Sequence, residues 1–435
     1  MRDIIYELIT DFNERELPSL HQRNIELSDM AGKIKTIIGM RRVGKTSLCY
    51  QKISKLLSQG VSQTQILYLN FEDERLLPFK TEDFRTILDT WYILFPENKD
   101  MICYVFFDEI QNIPHWDKFI RRILDTEKLE IFLTGSSSKL LSSEIATALR
   151  GRSLSTEVFP YSFREILQNK GIDYGEPNRI GSLLRSKISH AFLEYLDVGG
   201  FPEVQNLSKE LRFEILRNYV DTVVLRDLVE RHHISNVQCV RALLRQILHA
   251  PSQLFSISKC YQHLKSQGIP CTKSSLFEYV DHLSDAFLIY QIPILSNSEK
   301  VRQVNPKKCY VIDTGLIKAM SHRTTADRGF LLENMIFMEL RRRGLSVEYA
   351  STKKGYEIDF VVRAYPESPL SESTLIQVSW DIEGESTKER ELRSLRCGLE
   401  EYGAKEAILI TAVDEISISD SKIKIIPAWK WLLTD

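Results

Sequence analysis

The run "TIIGMRRVGKTSLCY" at residues 36–50 narrows the possible folds of this 435-residue chain more than any other stretch. It satisfies the pattern G-x-x-x-x-G-K-[ST] through Gly39, Gly44, Lys45 and Thr46. "KIKTII" before the loop reads as a β-branched strand, and "KTSLCYQKISKLL" after it has helical periodicity. A strand, a tight glycine loop and a helix N-terminus make a phosphate cradle, because successive backbone N–H groups face one anion and the helix dipole adds to the attraction. The predicted nucleotide loop comprises Gly39, Arg41, Arg42, Val43, Gly44, Lys45, Thr46 and Ser47, with Lys45 on the β and γ phosphates and the Thr46 hydroxyl on Mg²⁺.

Such a loop needs an acidic strand beside it, and "MICYVFFDEIQNIPHWDKFIRRIL" (101–124) supplies one. Its apolar run Cys103–Phe107 leads into Asp108 and Glu109, which places two carboxylates at the end of a buried parallel strand, where α/β sheets bind ligands. Asp108 is expected to hold Mg²⁺ through water, and Glu109 to polarise the attacking water as general base. "EIFLTGSSSKLL" (130–141) reads as a further strand. At its end Thr134, Ser136 or Ser137 either positions that water or caps the helix that follows. "LSTEVF" then returns as a fifth strand after Arg150 and Arg152. Arg152 has two readings, an arginine finger on a neighbouring subunit's γ-phosphate or the partner of a surface carboxylate.

Length and charge bound the rest. A chain of 435 residues is expected to hold two or three domains, and a formal net charge of -2 argues against a protein that coats nucleic acid by bulk attraction while leaving local basic clusters such as Arg341–Arg343 and Lys353, Lys354 able to bind it. Seven cysteines without a C-x-x-C pair suit reduced thiols rather than a disulfide framework or a zinc site. "MRDIIYELITDF" reads as an amphipathic helix, no apolar run approaches the roughly 20 residues of a membrane span, and a cytoplasmic protein without membrane association is expected.

Taken together, "GMRRVGKT", "FFDEIQNIPHWDKFIRRI", "LTGSSSKLLS", "LRGRSLSTEVFPYSFREIL", "GGFPE" and "YVDTVVLRDLVER" resemble a widespread prokaryotic family of AAA-superfamily ATPases with a C-terminal domain of poorly defined function. The resemblance spans nearly the whole chain. It implies ATP and Mg²⁺ as ligands, ATP hydrolysis and a homo-oligomer, and leaves the cellular purpose open.

The expected fold class is α/β. A P-loop ATPase core with a parallel sheet (1–175) is followed by a helical lid (176–250), a winged helix-turn-helix (251–306) and a C-terminal α/β domain similar to restriction endonucleases (307–435). In the lid, Gly199 to Pro202 reads as a hinge, and Asp221, Arg226 and Asp227 pair either across an interface or along the helix surface. In the winged helix, Lys273, Ser274, Ser275 and Tyr279 lie where a recognition helix meets DNA, while Glu278, Asp281 and Asp285 favour a docking role instead.

The order "RGFLLENMIFMELRRRG", "VEYASTKKGYEIDFVVR", "TLIQVSWD" resembles the PD-(D/E)xK nuclease fold. That resemblance implies a second metal set of Glu333, Asp359 and Gln377, but Ser379 stands where the motif has Lys, with Lys353 or Lys354 as substitutes. An active nuclease, an inactive nucleic-acid binder and a docking module all remain open at this point. So do three functions for the whole chain: a DNA motor or remodeller, an ATP/ADP-controlled switch acting on a protein partner, and an ATP-gated nuclease.

Overall fold

A computed structural model of the chain describes residues 1–137, 149, 151–177, 179–321, 328–382, 384–412 and 420–434. The chain forms two compact units, Met1–Phe159 with Asp285–Phe287, and Pro160–Ser284 with Leu288–Asp435.

The first unit is built on a five-stranded, all-parallel sheet of order β2-β3-β4-β1-β5. Its strands are β1 (Ile34–Ile38), β2 (Ile66–Asn70), β3 (Cys103–Asp108), β4 (Leu129–Gly135) and β5 (Ser153–Glu157). Helices α1 (Arg2–Glu14), α2 (Lys45–Ser58), α3 (Asp83–Leu94) and α4 (Trp116–Thr126) accompany it. Every residue of β1 is buried, as a central strand covered on both faces requires. Phe106 and Phe132 are direct partners across β3 and β4 and stack at 4.5 Å, each burial contributing about 1.5–3 kcal/mol. The amphipathic reading of the N-terminus holds: α1 buries Ile5, Ile9 and Phe12, and Phe12 stacks on Tyr68. Because all five strands run the same way, the loops after β1, β2, β3 and β4 share one end of the sheet. Arg152, which precedes β5, lies at the other.

In the second unit α5 (Phe163–Asn169), α6 (Ser182–Val198) and α7 (Lys209–Thr222), the last continued by a π-helix at Val223–Glu230, come first. The first compact unit ends at Phe159, short of the expected boundary at 175, and α5 packs on α6 and on the last helix, α15 (Ala428–Leu433). Arg164 on α5 fastens that contact by donating to the carbonyls of Leu432 and Thr434. Tyr219, Val223, Val224 and Leu228 form the buried stripe their spacing predicts.

Next come α8 (Val237–His249), β6 (Leu254–Phe255), α9 (Ile257–Ser266), α10 (Lys273–Asp285), β7 (Ile289–Ile292), α11 (Glu299–Val304) and β8 (Lys307–Val311). The three strands pair antiparallel in the order β6-β8-β7. Thr272 caps α10 by accepting from the Ser275 N–H at 3.0 Å. Tyr279, expected on an outer recognition face, is buried, whereas Lys273 and Ser274 are exposed.

After α12 (Thr314–Met320) and α13 (Arg328–Arg342), a mixed sheet of order β13-β12-β11-β10-β9 closes the unit. It comprises β9 (Ser346–Ser351), β10 (Glu357–Arg363), β11 (Thr374–Ser379), β12 (Glu406–Thr411) and β13 (Ile423–Pro427), with α14 (Glu385–Tyr402) packed on it. The segment 364–374 joins β10 to its antiparallel neighbour β11, as its loop composition predicts.

The Gly-Gly-Phe-Pro turn, read as a hinge, is held by a carboxylate from a distant segment. Asp313, the N-cap of α12, accepts from the Gly200 N–H at 2.7 Å and the Leu316 N–H at 3.2 Å. A Cβ on Gly199 would lie 2.1 Å from Asp313 Oδ1, and one on Gly315 would lie 2.2 Å from the Val198 carbonyl. The motifs "GGFPE" and "DTGL", far apart in sequence, therefore interlock through backbone contacts that leave no room for side chains.

Candidate functional site

The parallel sheet brings the predicted nucleotide residues together at one end. Gly44 adopts φ 100° immediately before α2, and Arg42 adopts φ 69°, so the loop curls its amides inward. Gly39 cannot carry a side chain, since a Cβ would approach the Val158 carbonyl to 2.3 Å. Val43 is buried, Ser47 lies half-buried in the first turn of α2, and Arg41 reaches Glu72 at 2.5 Å. Lys45 is buried, and its Nζ donates to the carbonyls of Gly39 (3.0 Å) and Met40 (3.1 Å) and pairs with Glu109 Oε1 at 3.2 Å.

Asp108 Oδ2 accepts from the Thr46 hydroxyl at 2.7 Å and from the Tyr68 hydroxyl at 2.8 Å, while Oδ1 accepts from Thr134. Thr134 in turn accepts from the Glu109 N–H at 2.9 Å. Glu109 sits at φ 53°, a conformation uncommon for a non-glycine residue, and Gln111 Nε2 holds its Oε2 while reaching Ser136 at 3.4 Å. Burial raises the Asp108 pKa against the pull of Thr134. Burial also pushes on Glu109, but the Lys45 charge and the Gln111 bond outweigh it and leave that carboxyl below its usual range. A hydroxyl and a carboxylate oxygen in direct contact are hard donors of the kind Mg²⁺ takes alongside waters, so Thr46 and Asp108 fit that ion.

Three members of this site carried no sequence motif. Buried Arg23 donates to the Val43 carbonyl and to the Phe159 carbonyl, both at 2.8 Å, and so pins the loop. Tyr68 could have been marked by its place on the strand beside the acidic one, and Gln111 by its place two residues past Glu109. Arg152 does not join the site: it pairs with Asp125 at the far end of β5, a strand's length of roughly 16 Å from the loop. Arg150 and the helix expected after Ser137 lie outside the described residues.

Glu333, Asp359 and Gln377 also converge, but around a cation the chain itself supplies. Lys308 Nζ lies 3.1 Å from Glu333 Oε1, 2.9 Å from Asp359 Oδ1 and 2.7 Å from Glu357 Oε1. Gln377 accepts from the Asp359 N–H at 3.2 Å and donates to Glu391 at 3.0 Å. The expected second metal set is thus occupied by a lysine, and among the described residues no group of three or more His, Cys, Asp and Glu is arranged to hold a metal ion. Lys353 and Lys354 are exposed and supply no substitute lysine, and the Ser379 hydroxyl donates to the Asp381 carbonyl. Sequence alternation held the missed signal, because Lys308 and Tyr310 share one face of β8 and Glu357 and Asp359 one face of β10. Of the basic run at 341–343, Arg342 and Arg343 are tied inward as well, both on Glu339 and Arg343 over the Trp431 ring at 4.3 Å, while Arg341 is exposed.

Sheet order, loop and paired carboxylates define a P-loop nucleotide-binding unit, and residues 31–167 match the AAA domain family. Residues 189–327 match a domain of unknown function (DUF8612). The chain belongs to the family of "Uncharacterized protein MJ1544" of Methanocaldococcus jannaschii, to which it is 35% identical over 425 residues, 95% of this chain and 91% of that protein. An uncharacterized protein of Haemophilus influenzae is 31% identical over 350 residues, covering 80% of this chain and 83% of that one. Among solved structures, the Aeropyrum pernix Orc1 protein in complex with DNA is 13% identical and covers 74% of this chain and 91% of its own, at a TM-score of 0.31, too low to carry an argument. No helix among the described residues is long and apolar enough to cross a membrane.

Proposed function

We propose that this protein binds ATP with Mg²⁺ and hydrolyses it, and that turnover rearranges its second unit on DNA. The convergence of Lys45, Thr46, Asp108 and Glu109 at one sheet end carries the catalytic half of this reading. The triphosphate offers Lys45 stronger anionic partners than the Gly39 and Met40 carbonyls, and drawing Lys45 away frees Glu109 Oε1. Gln111 keeps hold of the other oxygen and aims the carboxylate at water, which Glu109 polarises as general base. Thr46 and Asp108 would hold Mg²⁺, which when bound would supply neutralising charge for the phosphates. Thr134, bonded to Asp108 and to the Glu109 backbone, couples the two carboxylates.

For the DNA half, the succession α8, β6, α9, α10, β7, β8 supports the winged-helix reading, with Lys273 and Ser274 exposed where α10 begins. A homo-oligomer in which Arg152 leaves Asp125 for a neighbour's phosphate belongs to the same reading. The test is the hydrolysis rate with and without single-stranded, duplex, forked and four-way DNA, with Glu109→Gln as the blank. Stimulation by one of these structures supports a DNA motor or remodeller.

A second reading, a nucleotide-controlled switch that docks a protein, is favoured by one observation: Phe277 on α10 is 57% exposed beside Glu278, a surface better suited to an apolar partner than to phosphates. Turnover indifferent to all four DNAs supports it.

A further inference from the structure

We infer that the carboxylate cluster of the second unit is a cation site permanently filled by Lys308, and that this domain neither binds a divalent metal nor cleaves nucleic acid. Lys308 Nζ donates to Glu333 at 3.1 Å and to Asp359 at 2.9 Å and forms an ion pair with Glu357 at 2.7 Å, so three carboxylates surround one ammonium group. Its charge is therefore met inside the protein by three carboxylates rather than directed at a scissile phosphate.

The carboxylates are held around it from their other sides. Tyr310 donates to Glu333 at 2.9 Å and the Val378 N–H donates to Asp359 at 3.0 Å. The lysine cannot readily leave, because its backbone lies in the middle strand of the β6-β8-β7 sheet, opposite Leu254 on one side and Ile292 on the other, and its side chain is only 3% exposed. A divalent ion entering with Lys308 in place would meet a fixed positive charge at hydrogen-bond distance from the same oxygens. The cluster thus joins α13, β8 and β10 as an internal ionic knot that has the residues of a metal centre without its chemistry.

The inference is independent of the ATP site and is tested without nucleotide. Mn²⁺ binding is measured by calorimetry and by the Mn²⁺-induced shift in melting temperature for the full chain, Asp359→Asn, Lys308→Ala, Lys308→Met and Lys308→Ala/Asp359→Asn. The expected result is no difference in Mn²⁺ binding between the full chain and Asp359→Asn. Lys308→Ala or Lys308→Met should gain one Mn²⁺ per chain and a raised melting temperature, both lost when Asp359→Asn is added. Mn²⁺ binding or metal-dependent DNA cleavage by the unaltered protein that disappears in Asp359→Asn would overturn the inference. So would a folded Lys308 variant that gains no ion. Should both Lys308 variants fail to fold, the comparison of the unaltered protein with Asp359→Asn still decides.

Discussion

Lys45 Nζ lies 3.2 Å from Glu109 Oε1, so the cation that should grip the phosphates and the carboxylate that should activate water are paired with each other. In the proposed mechanism this pair is the resting arrangement, broken when an anion competes for the lysine. Lys45→Ala should weaken ATP binding by roughly 100-fold, as loss of a charge-assisted contact worth about 3 kcal/mol implies. Equilibrium titration with a fluorescent ATP analogue checks this, and unchanged affinity would remove Lys45 from the phosphate site.

Arg23 should prove as necessary to the loop as its glycines. Arg23→Ala deletes two charged hydrogen bonds to buried carbonyls, at a cost of about 2–4 kcal/mol to the first unit. A urea melt followed by circular dichroism should show that loss, accompanied by weaker ATP binding. Arg23→Lys, able to replace one bond, should fall between.

Asp313 gives the second unit a pH signature. Burial pushes its pKa up to about 6, above the usual carboxyl value, against the Gly200 and Leu316 N–H groups that favour its charge. A raised folded pKa means that the native state binds the extra proton between about pH 4 and 6, so the group's contribution is fully present below pH 4 and is lost as pH rises through 6. The melting temperature of the natural chain should therefore gain on that of Asp313→Asn when both move from pH 7 to pH 5. A natural chain that loses ground to Asp313→Asn on acidification would contradict the buried-carboxyl account.

Arg152 discriminates a surface ion pair from a role between subunits. Because it pairs with Asp125 at the opposite sheet end, Arg152→Ala should leave the melting temperature almost unchanged, an exposed pair contributing about 0–1 kcal/mol. If it serves a neighbouring copy, Arg152→Ala should lose turnover, and mixing it with Glu109→Gln protein should restore part of the activity through mixed interfaces. Full turnover by Arg152→Ala alone would leave only the surface pair.

Much of the nucleotide site was legible because its signals are local. A glycine pattern, an apolar strand and two acids in succession each announce themselves within a few residues, and the parallel sheet then gathers them. What escaped were groups whose role depends on a distant partner. Arg23 acts only because the chain returns at Phe159, and Lys308 only because β8 and β10 face the same buried volume. The misread turn at Gly199–Gly200 has the same cause. Two glycines suggest freedom when read alone, and the Asp313 carboxylate that holds the Gly200 N–H stands 113 residues further on. Tyr279 was misplaced because helical spacing gives a stripe but not which side of it meets the core.

The most direct test of the central claim is single-turnover ATP hydrolysis by the natural protein and by Glu109→Gln, with nucleotide affinity measured on the same samples. Glu109→Gln should retain binding and lose roughly 10²–10⁴-fold in rate, the range that removal of a positioned general base commands. Retained binding with undiminished turnover would show that water is activated elsewhere and would contradict the account.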